Sequence, residues 1–596
     1  MNGSNGSVFP QNANTEFAEA MELWQNIQKA SAIGMEIAGK YGPKEAGADI
    51  PIDPLGISEK ITNAWMNMWS DPDKMVKMQT EFWGGIGDIW MSNLGLGNNA
   101  PASANTTNRR FKHSAWQENL VLSFLKSSYL FSHAWVQEKI SDLPDLSEHD
   151  RIVTSLTMRN LLESFSPSNF AFTNPEVLEA TLKEKGENLV RGMTMMREDF
   201  ERGKGQLLIR QVDSEPFEVG KNVAVTPGKV IYENGHYQLI QYAPTTEKVN
   251  SVPILIIPPW INKFYILDLN EKKSFAKWLV AQGHTVFMVS WINADVSCRD
   301  FTWTDRLNAI DEGIDVVLKE TENAKAHLIS FCIGGTLTGS LLADLGKSAE
   351  DRIASSTFLT SQFDFEHAGE LMAFVSEQSV ELLDQFSEIG YIPAESMSNA
   401  FNLLRSNDLI WSYMVDNYML GKTPMAFDLL YWNSDSMRMP VKIQKFYLEQ
   451  FYLKNAFMKN ELEINGRKVG VSTITVPSYH LAAIDDHIAP AESVFIAAKA
   501  MNSAKVRFVV GGSGHIAGVV NPPVLEKYHF WASDDISEKQ FKTWISQTKQ
   551  SDGSWWRDWA NWIDQFESRK IAPREPASIH PAIENAPGRY VRIRFD

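Results

Sequence analysis

One of the two cysteines of this chain lies in a stretch that could do covalent chemistry. The chain contains only Cys298 and Cys332 among 596 residues, and Cys332 stands in HLISFCIGGTLTGSLLADLG, residues 327–346. An apolar run precedes Cys332, and a Gly-Gly pair opens a helix-like segment after it. A nucleophile at a strand-to-helix turn needs small residues two before and two after it, and Ser330 and Gly334 meet that need. The pattern predicts a nucleophile elbow that carries a thiol.

Such a turn places two polar aids to catalysis beside the thiol. The N-terminus of the following helix favours the thiolate, which is the nucleophilic form of cysteine. The backbone amide of Ile333 would point to the place where an oxyanion forms during attack on a carbonyl. A second oxyanion donor is expected from the loop PPWINKFY, at Trp260 or Ile261. Taken alone, Cys332 would fit equally well as a small buried apolar residue, so its partners decide.

Two later segments supply an acid and then a histidine, the chain order in which a nucleophile elbow receives its triad partners. His515, in GGSGHIAG, is the candidate general base. Asp486 in AAIDDHIAP, or less favourably Asp485, would orient His515 or act on the substrate. His487 is a rival base, although it directly follows the acid, and Asp364 in SQFDF is a rival acid.

Other histidines and motifs compete weakly with this set. His327 and His480 lie on predicted strand edges, and we interpret both as structural. The sequence contains no G-x-x-x-x-G-K-[ST], no H-E-x-x-H and no C-x-x-C. Nothing in the sequence therefore predicts a phosphate-binding loop or a metal site.

The elements around these residues alternate between apolar strand-like runs and helix-like segments. This alternation is typical of a parallel α/β sheet, whose strands are buried on both faces. Together with the elbow, it predicts an α/β fold with an α/β-hydrolase-type catalytic domain. The predicted strands are 252–260, 285–291, 326–331, 354–363, 472–487 and 505–515, and the predicted helices between the first of them are 273–283 and 304–322.

Length and local composition divide the chain into two predicted domains. Residues 1–205 are expected to form a mainly helical N-terminal domain, with helices at 15–40 and 57–93. Residues 206–596 are expected to form the catalytic domain. The sheet pattern lapses between about 367 and 470 into aromatic helical segments, and an insertion of this kind between strands usually forms a lid or cap.

Charge and composition exclude several classes of function. The formal net charge of -17 and the isoelectric point near 5.3 argue against nucleic acid as the main partner, because phosphate binding favours a basic surface. Two cysteines cannot form a disulfide framework and fit a reducing cytoplasm. The start, MNGSNGSVFPQNANTEF, predicts no signal peptide. No segment has eighteen uncharged apolar residues, so we expect no transmembrane helix.

Several blocks of the sequence resemble the polyhydroxyalkanoate synthases. The blocks are DRLNAIDEGIDVV, LISFCIGGT, PPWINKFYILDLN, AFDLLYWNSDS, DDHIAP, SGHIAGVVNPP and GSWW. Their order and the chain length are most similar to the class I enzymes, which favour short-chain substrates. The resemblance covers roughly residues 110–596, and residues 1–110 are predicted to be variable and partly flexible. Two departures stand out: the first Gly of the family's G-x-C-x-G-G box is Ser330 here, and the family's SWRNP is SWINAD, which loses an arginine.

The resemblance implies an acyltransferase that polymerises (R)-3-hydroxyacyl-CoA, such as 3-hydroxybutyryl-CoA, into polyhydroxyalkanoate and releases CoA. Cys332 resembles the nucleophile that holds the growing chain as a thioester. His515 resembles the base that activates the thiol, and Asp486 the carboxylate that helps deprotonate the incoming 3-hydroxyl. Ala517 falls where family members shape the acyl pocket. Arg405, in LLRSNDL, is expected to meet CoA phosphates.

The resemblance also implies partners and a place in the cell. It implies a homodimer in the cytoplasm at polyhydroxyalkanoate granules, in contact with the growing polyester and granule-associated proteins. It implies no metal, and no cofactor other than the CoA that the substrate carries. Two alternatives stay open: a cysteine-type α/β-hydrolase or thioesterase that uses the same triad and transfers the acyl group to water, and a catalytically inactive granule-binding protein.

Overall fold

The chain divides into two compact units in the computed structural model, which describes residues 11–41, 72–96, 108–143, 146–566 and 569–594. The first unit contains the described residues up to Asp213 together with Ala400–Met425, and the second contains Ser214–Asn399 and Ala426–Asp596. Of residues 1–110, which were predicted to be variable, 1–10, 42–71 and 97–107 lie outside the described residues. The predicted domain boundary at 205–206 remains a prediction.

The first unit is helical in its described residues. The prediction of a helix at 15–40 is confirmed by α1 (Gln11–Tyr41). Helix α2 (Pro72–Asn93) covers the later part of the predicted helix 57–93, whose residues 57–71 lie outside the described ranges. The helices before Asp213 are α1 (Gln11–Tyr41), α2 (Pro72–Asn93), α3 (Ala115–Glu118), α4 (Leu120–Ser141), α5 (Glu148–Ser164), α6 (Pro175–Lys183) and α7 (Glu187–Arg202).

Part of the predicted lid packs in this first unit. Asn188, in α7, donates a hydrogen bond from Nδ2 to the carbonyl of Met419 at 2.8 Å. The hydroxyl of Tyr418 donates to the buried carboxylate of Asp199 at 2.7 Å. The insertion predicted at 367–470 is therefore divided between the two units, because side chains of α7 bind its middle part. Its role as a lid stays a prediction.

The second unit is built on a mixed sheet of eleven strands in the order β15-β14-β13-β12-β7-β6-β4-β5-β2-β1-β17. The strands of this unit are β1 (Gly228–Glu233), β2 (Tyr237–Tyr242), β3 (Val249–Asn250), β4 (Ile254–Ile257), β5 (Val286–Trp291), β6 (Ala326–Phe331), β7 (Ile353–Leu359), β8 (Tyr391–Ile392), β9 (Met439–Pro440), β10 (Leu462–Ile464), β11 (Arg467–Val469), β12 (Ser478–Ala483), β13 (Val506–Gly511), β14 (His529–Ser533), β15 (Gln550–Asp552), β16 (Lys570–Ile571) and β17 (Glu584–Asn585).

The middle of this sheet is parallel, from β13 through β12, β7, β6 and β4 to β5. These six strands coincide with the six predicted from apolar runs, so the predicted α/β fold of the α/β-hydrolase type is confirmed. Strands β4, β5, β6 and β12 are buried along their whole length. Burial on both faces is what helices on the two sides of a parallel sheet produce.

Helices connect the parallel strands, as parallel pairing requires, and further helices lie in the insertion and after β13. They are α8 (Phe275–Ala281), α9 (Trp303–Glu320), α10 (Ile333–Leu345), α11 (Ala349–Arg352), α12 (Glu377–Glu381), α13 (Ala394–Leu404), α14 (Asp428–Ser434), α15 (Val441–Tyr447), α16 (Ala491–Ala500), α17 (Phe541–Gln547) and α18 (Trp556–Ile563). Because the parallel strands share one direction, the loops after β4, β6, β12 and β13 meet at one edge of the sheet.

Candidate active site

Cys332 occupies the turn between β6 and α10, at the N-cap of the helix. Its backbone has φ 54° and ψ -128°. A positive φ is costly for a residue with a Cβ, and it persists where the surrounding structure enforces it. The Cys332 amide donates to the carbonyl of Leu359 at 2.9 Å, and the Cys332 carbonyl accepts from Gly335 at 2.8 Å. The side chain is half-buried and free of any disulfide. The predicted elbow is present.

Gly334 allows the loop after β4 to approach this turn closely. A Cβ at Gly334 would lie 2.5 Å from the carbonyl oxygen of Ile257 and 2.7 Å from that of Pro258. Both contacts are with backbone, which cannot move aside as a flexible side chain could. Glycine is therefore required at this position, and the loop that follows β4 is held against the start of α10.

His515 and Asp486 form a buried pair beside this elbow. His515, in the loop after β13, donates from Nδ1 to Oδ2 of Asp486 at 2.7 Å, and both side chains are buried. The other carboxylate oxygen, Oδ1, accepts from the amides of Ile488 and Ala489 at 2.8 and 2.9 Å. The ring of His515 stacks on Phe331 with centroids 5.5 Å apart. The carboxylate is thus fixed by its own loop and orients the imidazole.

Cys332 interacts with this histidine. Burial alone would lower the pKa of His515. The charge of Asp486, the charge of Cys332 and hydrogen bonds to both side chains outweigh burial and raise this pKa from 6.5 to about 10. Because Nδ1 is bound to Asp486, Nε2 is the ring nitrogen left for the sulfur. The arrangement favours the imidazolium form of His515.

The rival residues of the sequence are placed elsewhere or bound otherwise. Asp485 is exposed, next to the buried Asp486. The carboxylate of Asp364 accepts from Nδ2 of Asn455 at 2.7 Å. The buried His327 contacts the hydroxyl of Ser355, and the buried His480 contacts that of Ser478. Of the candidate acids, Asp486 is the one that binds His515.

The two predicted donors of the loop after β4 occupy different surroundings. Trp260 is 1% exposed, and its indole packs against Trp291 with centroids 5.6 Å apart. Ile261 is half-buried, and its carbonyl accepts from the amide of Met437 at 2.9 Å. Ile333, the residue whose amide would be the first donor, is the first residue of α10 and is 2% exposed. The oxyanion role of these three residues stays a prediction.

A buried ion pair anchors the end of this loop. Lys263 Nζ lies 2.8 Å from Oδ1 of Asp435, and both side chains are 2% exposed. The hydroxyl of Tyr265 donates to the other oxygen of Asp435 at 2.8 Å. Arg594, near the end of the described chain, donates from Nε to Oδ1 at 3.0 Å. Because this carboxylate has three partners, the loop cannot shift without separating buried charges.

Comparison with known proteins identifies the family. The family described as "Poly-beta-hydroxybutyrate polymerase (PhaC) N-terminus" matches residues 107–279. The poly(3-hydroxyalkanoate) polymerase subunit PhaC of Rhizobium meliloti is 39% identical over 577 residues, which cover 95% of this chain and 94% of that protein. The poly(3-hydroxyalkanoate) polymerase of Methylorubrum extorquens is 42% identical over 542 residues, which cover 90% of this chain and 89% of that protein. This chain belongs to the poly(3-hydroxyalkanoate) polymerase family.

Among solved structures, the thioesterase domain from the curacin biosynthetic pathway is 12% identical to this chain. It has a TM-score of 0.29 and covers 50% of this chain and 97% of that domain. No helix in the described part of this polymerase-family chain is both long and apolar enough to cross a bilayer. Within the same residues, no group of three or more His, Cys, Asp or Glu side chains could hold a metal ion.

Ser330 replaces the first glycine of the family's cysteine box without disturbing the turn. Its side chain is fully buried, and its hydroxyl donates to the carbonyl of Thr357 in the neighbouring strand β7 at 3.1 Å. A buried hydroxyl without such a partner would be costly. The substitution is therefore accommodated by a hydrogen bond across the sheet.

The two predicted substrate contacts belong to different units of the chain. Ala517 is half-buried and lies two residues beyond His515. Arg405 belongs to the first unit, where its exposed guanidinium pairs with Asp408 at 2.8 Å. The predicted roles of both residues, in the acyl pocket and in CoA binding, stay predictions.

Two tyrosines at the site were missed in the sequence. Burial and then the nearby charge of Cys332 raise the pKa of Tyr452. Burial, the neighbouring Tyr452 and then Cys332 raise the pKa of Tyr447. The two rings are 5.4 Å apart and edge to face. Both hydroxyls therefore stay protonated beside the thiol, where they can donate hydrogen bonds. Both lie in the aromatic run KFYLEQFYL, which carries no local signal that sets them apart from its other rings.

Proposed function

We propose that this chain polymerises short-chain (R)-3-hydroxyacyl-CoA, such as 3-hydroxybutyryl-CoA, into a polyhydroxyalkanoate polyester and releases CoA. The observation that carries the proposal is the buried Asp486–His515 pair next to Cys332 on a strained elbow. A hydrolase could use the same three side chains and transfer the acyl group to water. Membership of the poly(3-hydroxyalkanoate) polymerase family supports a 3-hydroxyl group as the acceptor instead.

The first step forms an acyl-enzyme. His515 takes the proton of the Cys332 thiol, and the thiolate attacks the thioester carbonyl of the acyl-CoA. The negative charge on the carbonyl oxygen would be met by the amide of Ile333 and by an amide at Trp260 or Ile261. When the tetrahedral intermediate collapses, the C–S bond to CoA breaks and the imidazolium returns the proton to the leaving thiolate. One thioester replaces another, so the acyl group stays activated.

The second step forms the ester bond. A 3-hydroxyl group attacks the acyl-thioester on Cys332, and the His515–Asp486 pair accepts the hydroxyl proton. The C–S bond to the enzyme breaks, the new C–O bond forms, and the sulfur regains a proton from His515. Tyr447 and Tyr452 would donate hydrogen bonds near the sulfur, since both hydroxyls stay protonated.

Polyester formation requires that water does not replace the hydroxyl. A wall of aromatic side chains supports this requirement: Phe365 lies 4.7 Å from Tyr452 and 5.7 Å from Phe451, centroid to centroid, and Phe451 lies 5.5 Å from Tyr447. We further propose that the protein acts as a homodimer at cytoplasmic polyester granules, in contact with granule-associated proteins, and that it needs no cofactor beyond the CoA of its substrate.

The decisive experiment supplies 3-hydroxybutyryl-CoA and follows CoA release together with turbidity. We expect release of CoA, insoluble polymer and little free 3-hydroxybutyrate. Cys332→Ala should abolish both signals, and the matched variant Cys298→Ala should leave both nearly unchanged, because Cys298 is fully buried in a separate turn. CoA release with free acid and no polymer would favour the thioesterase alternative, and full activity of Cys332→Ala would refute the proposal.

A further inference from the structure

Arg306 is a fully buried cation that faces aromatic rings instead of a carboxylate. It lies in the first turn of α9 and has no exposed surface. Its guanidinium carbon is 4.6 Å from the ring centroid of Trp260 and 4.5 Å from that of Trp291. The two indoles are edge to face, at 77°. Such distances are those of cation–π interactions, which strengthen when water is removed.

The charge of Arg306 is poorly compensated. Nε and Nη1 have no hydrogen-bond partner among the residues that the structure describes. The acidic group that acts on it is the thiol of Cys298, and burial raises the pKa of that thiol, so the sulfur stays neutral. Burial correspondingly lowers the pKa of Arg306 to about 9. Burying a cation without a counterion costs stability. This cost points to a functional role for Arg306.

The indoles that Arg306 contacts belong to, or bind, the loop after β4. Trp260 is itself a predicted source of an oxyanion donor. Trp291 donates from Nε1 to the carbonyl of Pro258 at 2.8 Å, two residues before Trp260. The same carbonyl abuts Gly334 at the start of α10. Arg306 therefore contacts Trp260, which belongs to the loop, and Trp291, which binds the loop through Pro258.

We infer that Arg306 is a positioning residue, which holds Trp260 and Trp291 and so keeps the loop after β4 at the distance from Cys332 at which its amide can meet the oxyanion. The inference rests on the proposed function, because it concerns the transition state of acyl transfer. It adds a residue that acts through two indoles and touches no substrate. Its signature is a loss of rate without a loss of folding.

The size of the effect follows from geometry. A displacement of about 1 Å at a reacting centre can cost about 10²-fold in rate. Removal of the cation leaves both indoles and the bond from Trp291 to Pro258 in place, so the loop loses only part of its restraint. We therefore expect a decrease in kcat of about tenfold. Substrate binding should change little, since Arg306 is enclosed by protein.

The test compares Arg306→Met with Arg306→Lys. Methionine retains bulk and removes the charge, so we expect kcat about tenfold lower, KM within about twofold, and a Tm equal to or above that of the unchanged protein, because an uncompensated buried charge is gone. Lysine retains a cation over the rings and should restore kcat to within about threefold. If Arg306→Met does not fold, Arg306→Gln takes its place.

The matched control is Arg507→Met. Arg507 lies near the start of β13, away from the His515 loop, and pairs with Asp558 and Asp534. The variant Arg507→Met should have a lower Tm and an unchanged kcat. An unchanged kcat in Arg306→Met, or a loss of kcat that accompanies a loss of Tm in both Arg306 variants, would overturn the inference. Activity in Cys332→Ala would instead overturn the proposed function, so the two failures are distinguishable.

Discussion

Two histidine–carboxylate pairs in the second unit have similar hydrogen-bond distances and different surroundings. His515 Nδ1 lies 2.7 Å from Asp486, and His580 Nδ1 lies 2.8 Å from Glu320. Both carboxylate side chains are fully buried. Glu320 also accepts hydrogen bonds from the amides of Ser578, Ile579 and His580. The carboxylate of Glu320 therefore anchors the C-terminal segment to α9.

The difference lies in what faces the second ring nitrogen. His515 has a thiol on a strained elbow within reach, whereas His580 is part of a chain segment that its partner Glu320 holds in place. A histidine–carboxylate pair is thus a general device for fixing a ring, and it becomes catalytic only beside a nucleophile. The two pairs can be separated experimentally, because one should control rate and the other stability.

The largest expected effect comes from removing the charge of each carboxylate in turn. Asp486→Asn should lower kcat by about 10³-fold to 10⁴-fold, because the amide no longer orients and stabilises an imidazolium. Glu320→Gln should leave kcat unchanged and lower the free energy of unfolding by about 2 kcal/mol, because buried donors lose a charged acceptor. Initial rates of CoA release and urea unfolding measure the two. A decrease in kcat of the same size in Glu320→Gln would contradict the different roles of the two pairs.

The first pair also predicts a dependence of stability on pH. The pKa of His515 is raised from 6.5 to about 10, so the folded protein binds the extra proton more tightly than the unfolded chain does. This contribution is fully present below pH 6.5 and is lost as the pH rises through about 10. We expect the Tm of the unchanged protein to fall over that window by more than the Tm of His515→Gln. Parallel curves for the two proteins would contradict the pKa shift.

The sequence was informative where local pattern and chain order carry the structure. The apolar runs predict the parallel strands because burial on both faces leaves no polar alternation, and the small residues around Cys332 predict the elbow. His515 and Asp486 could be predicted because loops after parallel strands meet at one edge. Glu320 and His580 are 260 residues apart, and no motif relates them.

Other features depend on packing that local pattern does not encode. Tyr447 and Tyr452 stand in an aromatic run where several rings have similar spacing, so their nearness to Cys332 emerges only from the tertiary structure. The insertion at 367–470 is divided because Tyr418 and its neighbours bind α7, and periodicity does not say which helix an amphipathic segment will contact. In the sequence, Arg306 resembles an exposed arginine of an amphipathic helix, and only the structure shows that it is buried.

A smaller effect should separate Tyr452, whose pKa is raised by burial and by Cys332, from Tyr418, which binds Asp199. Tyr452→Phe should lower kcat by about fivefold to tenfold, because a hydrogen-bond donor beside Cys332 is lost while the ring stays. The matched variant Tyr418→Phe removes a hydroxyl that donates to Asp199 in the first unit, so it should lower Tm and spare kcat. Equal rates for Tyr452→Phe and the unchanged protein would remove Tyr452 from the site.

The smallest effect is expected at the elbow itself. Ser330→Gly restores the family's glycine and removes the hydrogen bond to Thr357. We expect kcat within about twofold and a free energy of unfolding lower by about 1 kcal/mol, measured by CoA release and urea unfolding. A large change in rate would show that the serine sets the strain of the turn.

The most direct test of the covalent mechanism is to find the acyl group on the enzyme. The protein is mixed with 3-hydroxybutyryl-CoA, quenched in acid after a fraction of a turnover, digested and analysed by mass spectrometry. We predict 3-hydroxybutyryl units on the peptide that carries Cys332, removable by neutral hydroxylamine and absent in Cys332→Ala. An adduct on Cys298 or on a serine, or CoA release at full rate with no adduct on Cys332, would contradict it.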